Sequence, residues 1–146
     1  MIEVKGDLFE QECDALVITT NGTVRKDGAC VMGRGVALQA KQKWPGVEYE
    51  LGRLIGRNGN IVQVIAKGQL APLVALPVKH HWHQKADLDL IRRSCMALAL
   101  MARTQGWQKV VLPRPGCGNG SLDWRDVRIV VEYILHEDRF VVVNNE

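Results

Sequence analysis

One segment of the chain joins an apolar strand to an amphipathic helix through a loop with three glycines. The strand is predicted at residues 109–113, the loop holds Gly116, Gly118 and Gly120, and the helix begins near Asp123. A glycine loop in this position directs backbone N–H groups toward one point, and the helix dipole adds positive potential there. The segment therefore predicts a phosphate-binding loop in a protein of the α/β class.

A second glycine-bearing loop lies upstream, again directly before a predicted helix. It contains Met32, Gly33 and Gly35, and the helix is predicted at residues 35–44, where Pro45 ends it. Alone this pattern is weak evidence, because flexible hairpins and ordinary helix starts share it. Together the two loops predict two phosphate cradles and therefore a diphosphate ligand.

Apolar runs and helical patterns alternate along the chain. The continuous β-branched run at residues 15–19 is typical of a buried central strand. Further strands are predicted at residues 2–4, 61–65, 73–78 and 140–143. Further helices are predicted at residues 47–54, 86–103 and 123–135. This order indicates the α/β class, with a mostly parallel sheet between two helical layers, in a single domain spanning residues 1–146.

Composition and charge narrow the classes of function. The chain has 146 residues, 47% of them hydrophobic, and a formal net charge of +3. This mild basicity suits an anionic ligand, but it is too weak and too evenly spread to be typical of a nucleic-acid-binding domain. No apolar stretch approaches the roughly 20 residues of a membrane helix. We expect a cytoplasmic, monomeric protein with no membrane partner.

The metal-binding residue types lack the spacing of a metal site. The four cysteines are widely spaced and form no CxxC motif, which in a cytosolic chain favours free thiols. His80, His81 and His83 also lack the spacing of a zinc motif, so a solvated basic loop is favoured there. We therefore predict no metal and no cofactor.

Polar side chains follow two of the predicted strands. Asn21 stands after the strand at 15–19, and Lys79 follows the strand at 73–78. Ligands of parallel sheets bind beyond the carboxyl ends of the strands, so we expect both residues to lie at one edge with the 116–120 loop. The Asn21 amide could hydrogen-bond sugar hydroxyls, although residue type alone favours a turn residue. A partly desolvated Lys79 would have a lowered pKa and act as a base or as a nucleophile toward a sugar carbon, although most lysines only pair with phosphate or face solvent.

Four other residues have a binding role and a structural alternative. Asp7 could accept a hydrogen bond from an adenine amine, or it could cap a turn. Cys117 could be a thiolate nucleophile, but no partner base is evident, and we favour a small residue that packs beneath the loop. Trp82 and Trp124 could stack on a base or a ribose, while Trp124 could equally fix its helix to the core.

Three motifs stand in order along the chain, at residues 6–17, 31–37 and 113–124. Together they resemble the opening strand pair, the first ligand loop and the second phosphate loop of the macrodomain family, which binds ADP-ribose. The resemblance spans nearly the whole chain. It implies a three-layer α/β/α sandwich with a central mixed, mostly parallel sheet.

The motif at residues 77–82 is similar to the lysine-dependent branch of that family. This branch contains the terminal ADP-ribose protein glycohydrolase and the antitoxin that removes ADP-ribose from DNA bases. The resemblance implies that Lys79 is catalytic and that Asn21 orients the distal ribose. It also implies that Asp7 contacts the adenine of the ligand. The other residues that it implies in ligand binding are Leu8, Thr20, Met32, Gly33, Gly35, Val36, Pro115, Gly116, Cys117, Gly118, Asn119, Gly120 and Trp124.

Two departures from the family pattern bear on the activity. The protein glycohydrolase carries an acidic residue where this chain has Gly120, so the resemblance favours the DNA-directed branch. Residues 25–29 add length between the first two motifs, which would alter access to the distal ribose.

We therefore predict an ADP-ribosyl glycohydrolase that acts on a macromolecular acceptor, with modified DNA bases favoured and protein second. A non-catalytic reader of ADP-ribose and a hydrolase of ADP-ribose 1″-phosphate or O-acetyl-ADP-ribose are also compatible with these motifs. An unrelated nucleotide-binding α/β domain is disfavoured, because the chain has neither a GxGxxG nor a Walker lysine motif.

Overall fold

The computed structural model describes residues 1–67 and 71–145, in which strands and helices alternate as predicted. The strands are Ile2–Lys5 (β1), Ala15–Asn21 (β2), Gln63–Ala66 (β3), Leu73–Lys79 (β4), Val110–Pro113 (β5) and Phe140–Asn144 (β6). The helices are Gly35–Lys43 (α1), Val47–Asn58 (α2), Leu88–Gln105 (α3) and Trp124–Ile134 (α4). None of the helices in the described residues is long and apolar enough to cross a membrane.

The strands form one sheet in the order β1-β6-β5-β2-β4-β3. Every neighbouring pair is parallel except β3 and β4, which are antiparallel. The buried β2 strand lies between β5 and β4, as its continuous apolar run predicts. The predicted α/β class and mixed, mostly parallel sheet are confirmed.

Helices cover both faces of this sheet. On one face α3 and α4 pack through Ile91 and Val131 against side chains such as Val17 of β2. On the other face α1 and α2 pack against the alternate side chains of the same strand, such as Ile18. Because successive side chains of a strand point to opposite faces, one apolar strand supplies both cores. The result is the expected three-layer sandwich.

Several element ends differ from the prediction by one to four residues, as at α3, which begins at Leu88 and not at residue 86. The differences at α2 and β3 have clear local reasons. The α2 helix continues past residue 54 to Asn58, where Gly59 ends it with a φ of 92° and an N–H bond to the Ile55 carbonyl. The β3 strand begins at Gln63 and not at residue 61, because the Ile61 N–H donates to the Gly59 carbonyl within a tight turn. Neither change moves a residue of the predicted site.

The carboxyl ends of the parallel strands meet at one edge of the sheet. There Asn21 of β2 stands in register with Lys79 of β4, next to a shift in register at Thr20 and Asn21. The end of β5 at Pro113 leads into the loop of residues 114–122 at the same edge. The sheet therefore brings together the two polar strand ends and the glycine-rich segment.

Candidate functional site

A cavity of about 1000 Å³ lies at this edge of the sheet. That volume is at the upper end of the roughly 300–1,000 Å³ typical of small-molecule sites. Most residues implied by the resemblance line it, namely Thr20, Asn21, Met32, Gly33, Gly35, Val36, Lys79, Gly116, Cys117, Gly118, Asn119, Gly120 and Trp124. Strand ends far apart in sequence thus contribute to one pocket.

Three residues implied by the resemblance do not line the cavity. The Asp7 carboxylate accepts the Phe9 N–H at 2.9 Å and caps a short 3-10 turn, which is the alternative role that residue type allows. Leu8 packs in the core and is 5% exposed. Pro115 is buried, and its carbonyl accepts the Cys117 thiol at 3.3 Å. The structure therefore gives these three residues structural contacts outside the lining of the cavity, and their ligand contacts stay predictions.

The first glycine loop, residues 31–35, ends at an open helix N-terminus. Arg34 is the N-cap residue of α1 and makes no side-chain cap. Gly35 begins the helix with a φ of 57°. The N–H groups of Gly35, Val36 and Ala37 have no acceptor among the described residues, and all three residues line the cavity. An uncapped N-terminus of this kind attracts an anion through its free N–H groups and the helix dipole.

The second glycine loop, residues 114–122, is a compact turn. The Leu122 N–H donates to the Gly116 carbonyl, and the Ser121 N–H donates to the Gly118 carbonyl. The N–H groups of Gly118, Asn119 and Gly120 have no acceptor in the described part of the chain. These loop amides form the second candidate cradle for a phosphate.

The start of α4, whose dipole is predicted to add positive potential at this loop, carries a side-chain cap. Asp123 caps α4, because its carboxylate accepts the Arg125 N–H at 2.9 Å. The same carboxylate pairs with the Arg125 guanidinium. The Asp123 carboxylate therefore offsets part of the positive potential at the start of α4, so that the loop amides are the main backbone donors that this loop offers an anion.

The two loops lie side by side. A Cβ atom built on Gly35 would stand 2.9 Å from the Asn119 side-chain nitrogen. The Asn119 side chain of the second loop therefore reaches the start of α1, which places the two loops next to each other at the cavity, as a single diphosphate group requires.

Gly120 has no room for a side chain. A Cβ atom there would lie 2.4 Å from the Gly116 carbonyl oxygen and 2.7 Å from Cβ of Ala86. Backbone and a buried alanine cannot give way cheaply. This packing excludes an acidic residue at that position unless the loop takes another shape.

Lys79 is the last residue of β4, and it lines the cavity. Its Nζ donates to the Trp82 carbonyl at 3.2 Å. Burial lowers the pKa of Lys79, and the charge of Arg34 lowers it further. A lowered lysine pKa increases the fraction of neutral amine at neutral pH, as base or nucleophile chemistry requires.

Asn21 is fixed in place beside Lys79. Its Nδ2 donates to the Val31 carbonyl at 2.9 Å, and its Oδ1 accepts the Thr23 N–H at 3.0 Å. The turn role that residue type favours is thus present. Because an amide nitrogen carries two hydrogens, the bond to Val31 leaves one for a ligand at the cavity.

Cys117 and Trp124 make structural contacts. Burial raises the pKa of the Cys117 thiol to about 11, which disfavours a thiolate nucleophile. The Trp124 indole donates to Glu3 at 2.9 Å, and the Arg114 guanidinium lies over its ring at 5.2 Å from the centroid. Trp124 therefore fixes the start of α4, although part of it lines the cavity.

Known proteins share this fold and are similar to this chain in sequence. No family model matches the chain. An ADP-ribose glycohydrolase of Bos taurus, OARD1, is 30% identical over 133 residues, which cover 90% of this chain and 82% of that protein. The solved macrodomain of Mycobacterium tuberculosis DarG has a TM-score of 0.83 at 27% identity, covering 99% of this chain and 97% of that chain. The chain belongs to the macrodomain family.

A further relative of this macrodomain is much longer. The DNA ADP-ribosyl glycohydrolase of Mycobacterium tuberculosis is 32% identical over 130 residues, which cover 84% of the chain and 35% of that protein. The chain thus spans about a third of the length of this relative. The macrodomain of Thermus aquaticus DarG is a further solved neighbour, with a TM-score of 0.80 at 27% identity and coverage of 99% of this chain and 97% of that chain.

The macrodomain cavity also contains cations, and the sequence assigned no role to the two arginines of its glycine loops. Arg34 and Arg114 stand in the two glycine loops and line the cavity. Arg25 and Lys85 line it as well, and no Asp or Glu is among the lining residues that the structure describes. The signal available in the sequence was an arginine inside each glycine loop, but sequence alone does not show where a long side chain points.

The histidines of the macrodomain make contacts with their own loop. His80 pairs with Asp87 at 2.8 Å, and the bond lowers the pKa of Asp87. The rings of His81 and His83 stack with centroids 5.9 Å apart. Among the residues described, no three His, Cys, Asp or Glu side chains are grouped for a metal ion. The segment resembles the solvated basic loop that its sequence favours.

Proposed function

We propose that this macrodomain binds ADP-ribose and hydrolyses the bond between its distal ribose and a macromolecular acceptor. The observation that carries the proposal is the position of Lys79, a lysine with a lowered pKa in the same cavity as two adjacent sets of open backbone amides. The relatives that are named as ADP-ribosyl glycohydrolases support the same activity.

Each element of the cavity has a role in this reaction. The N–H groups at the start of α1 and those of residues 118–120 would hold the two phosphates of the ligand. Holding the diphosphate fixes the distal ribose near Lys79 and Asn21, so that chemistry occurs in a positioned complex. Asn21 would donate its remaining N–H to a ribose hydroxyl.

Hydrolysis breaks the bond from C1 of the distal ribose to the acceptor atom. Water supplies the hydroxyl group to C1 and the proton to the acceptor. Lys79 acts in one of two ways. Its neutral amine bonds to C1 of the opened sugar as the acceptor leaves, and water later displaces it, or the amine carries the proton from water to the acceptor. Both courses need the unprotonated amine that the lowered pKa of Lys79 favours.

Modified DNA bases are the acceptor that we propose first. The cavity lining combines several cations with Trp82 and has no carboxylate in the described residues, which suits a nucleic acid, because its phosphates pair with cations and its bases stack on an aromatic ring. The packing at Gly120 supports the same choice, because it excludes the acidic residue of the protein-directed branch. The names of the DNA-directed relatives agree with it.

A non-catalytic reader of ADP-ribose is the second candidate. The same absence of a carboxylate at Gly120 favours it, because that position lacks a second acid–base group. The two candidates share the binding site and differ only in turnover.

The test is a release assay with ADP-ribosylated single-stranded DNA, ADP-ribosylated protein and ADP-ribose 1″-phosphate. The wild-type protein is expected to release ADP-ribose from DNA fastest. The Lys79→Ala variant should lose at least about a hundredfold in turnover, the usual contribution of a positioned acid–base group, and should keep its ADP-ribose affinity within about threefold. Lys79→Arg is the matched control, because it retains the charge but cannot supply a neutral amine.

Each outcome of the assay has one meaning. Full turnover by Lys79→Ala would refute the role of the lysine. Release from protein but not from DNA would change the acceptor. Silence on all three substrates with intact calorimetric binding of ADP-ribose would establish the reader.

A further inference from the structure

Trp82 is a large apolar side chain left exposed at the cavity. Its side chain lines the cavity and is 52% exposed, whereas Trp107 is 9% exposed and Trp124 is held by Glu3. A ligand that covers an exposed indole ring at a cavity gains apolar burial and stacking. The ring is therefore available to a bound molecule.

The backbone of Trp82 is held on both sides. Its N–H donates to the Thr23 hydroxyl at 2.9 Å, and its carbonyl accepts the Lys79 ammonium group at 3.2 Å. The surrounding turn is closed by the bond from His81 N–H to the Gln84 side chain and by the His80–Asp87 pair. A ring on so constrained a backbone is a preorganised platform and not a mobile surface residue.

The position of the ring relative to Lys79 limits what can cover it. In the proposed reaction the acceptor is attached to C1 of the distal ribose, and C1 lies next to the Lys79 amine. The acceptor must therefore leave the cavity close to the residue whose carbonyl that amine contacts. Trp82 is the exposed aromatic side chain there, and Arg25 and Lys85 line the same cavity.

We infer that Trp82 stacks on the nucleobase that carries the ADP-ribose, an inference that rests on the proposed function. A base is bound from single-stranded nucleic acid mainly by stacking on aromatic side chains, because every base has a flat π face. Arg25 and Lys85 contact the phosphates that flank this base. Trp82 thus determines specificity for a base acceptor over an amino-acid acceptor.

The experiment compares Trp82→Ala and Trp82→Phe with the wild-type protein on an ADP-ribosylated single-stranded oligonucleotide. Trp82→Ala should raise KM for the oligonucleotide at least about tenfold, in line with the loss of one base–aromatic stack. The affinity of Trp82→Ala for free ADP-ribose, measured by calorimetry, should fall by a factor that is at least about tenfold smaller than the rise in KM. Trp82→Phe retains a flat ring, so its KM for the oligonucleotide should stay close to the wild-type value.

A matched control is Tyr133→Ala on α4, an aromatic residue that is 86% exposed and does not line the cavity. It should leave KM for the oligonucleotide unchanged. A Trp82→Ala variant with the wild-type KM would overturn the inference, as would an equal loss of affinity for free ADP-ribose. So would a loss confined to an ADP-ribosylated peptide, which would assign Trp82 to a protein acceptor. A wild-type protein that leaves the oligonucleotide intact would instead overturn the proposed function, before any variant is compared.

Discussion

The two glycine loops of this macrodomain look alike in sequence but present different backbone groups to the cavity. The first loop leads into α1, whose N-terminus has no side-chain cap and leaves its first N–H groups open. The second loop leads into α4, whose N-terminus is capped by Asp123. The positive potential of the backbone thus comes mainly from a helix dipole at the first loop and mainly from loop amides at the second. Each loop also carries an arginine that lines the cavity, Arg34 in the first and Arg114 in the second.

The loops also differ in how closely they are packed. A Cβ atom on Gly33 would meet nothing within 4 Å, whereas one on Gly120 would overlap the Gly116 carbonyl. The first loop is an open rim next to Lys79, and the second is a fixed turn wedged against Ala86. A glycine in a strand–loop–helix segment can therefore serve an electrostatic or a steric purpose, and the purposes call for different experiments.

The largest expected effect follows from the packing difference. Gly120→Ala should lower the free energy of unfolding by about 2 kcal/mol, because the new methyl group overlaps backbone and a buried alanine. Gly33→Ala in the first loop and Gly118→Ala in the second, both with open space around the new Cβ, should change it by less than about 0.5 kcal/mol. Chemical denaturation measures all three variants. Equal stability of Gly120→Ala and Gly33→Ala would contradict the claim that the second loop is more tightly packed than the first.

The next effect tests the electrostatic difference. Arg34→Asp places at α1 the kind of cap that Asp123 provides at α4, and it fills the open N-terminus with a carboxylate. Calorimetric affinity for ADP-ribose should fall at least about tenfold, while the thermal midpoint is unchanged or rises. Arg34→Gln removes the charge without adding a cap and should lose less affinity. If the two variants bind ADP-ribose equally well, the open helix start is not the cradle.

The smallest effect concerns the chemistry at Lys79. The charge of Arg34 contributes to the lowered pKa of Lys79, although burial contributes more. Arg34→Gln should therefore raise the pKa of Lys79, reduce the neutral amine at neutral pH, and move the rising limb of the kcat–pH profile to higher pH. Because burial remains, kcat at neutral pH should fall by less than about tenfold. Arg114→Gln, in the second loop, should leave the rising limb of the kcat–pH profile in place. If the limb shifts in Arg114→Gln and not in Arg34→Gln, the charge that lowers the pKa of Lys79 lies in the second loop, and the account is contradicted.

The sequence predicted the fold well because its signals are local. The apolar run of β2 and the helical stripe of α3 are buried in the structure much as their patterns indicate. The helical spacing of apolar residues in α3 predicts one buried stripe, formed by Leu88, Ile91, Cys95, Leu98 and Ala102. The last four are buried, but Leu88 is 38% exposed, because it stands in the first turn of the helix directly after the Asp87 cap. The parallel order of strands then brings Asn21 and Lys79 to one edge, as expected of their positions after strands.

The sequence predicted the site less completely because the decisive contacts are long-range. The influence of Arg34 on Lys79 and the contact of Gly35 with Asn119 join segments far apart in the chain, and no local pattern encodes them. The cap at Asp123 could be predicted from the sequence, since an aspartate directly before a helix is a capping signal. The glycine loop before the same helix favours a different interpretation, an open helix start that binds phosphate. The ligand contacts of Asp7, Leu8 and Pro115 were predicted from the resemblance alone. The structure shows a cap, a core position and a loop hydrogen bond for these residues, respectively.

A calorimetric titration of ADP-ribose into the wild-type protein tests most directly whether the two loops together hold a diphosphate ligand. We predict saturable binding of one ADP-ribose per chain, with a rise in the thermal midpoint at saturating ligand. Neither saturable heat nor a thermal shift would contradict the assignment of the cavity, and the roles of Lys79 and Trp82 would lose their basis with it.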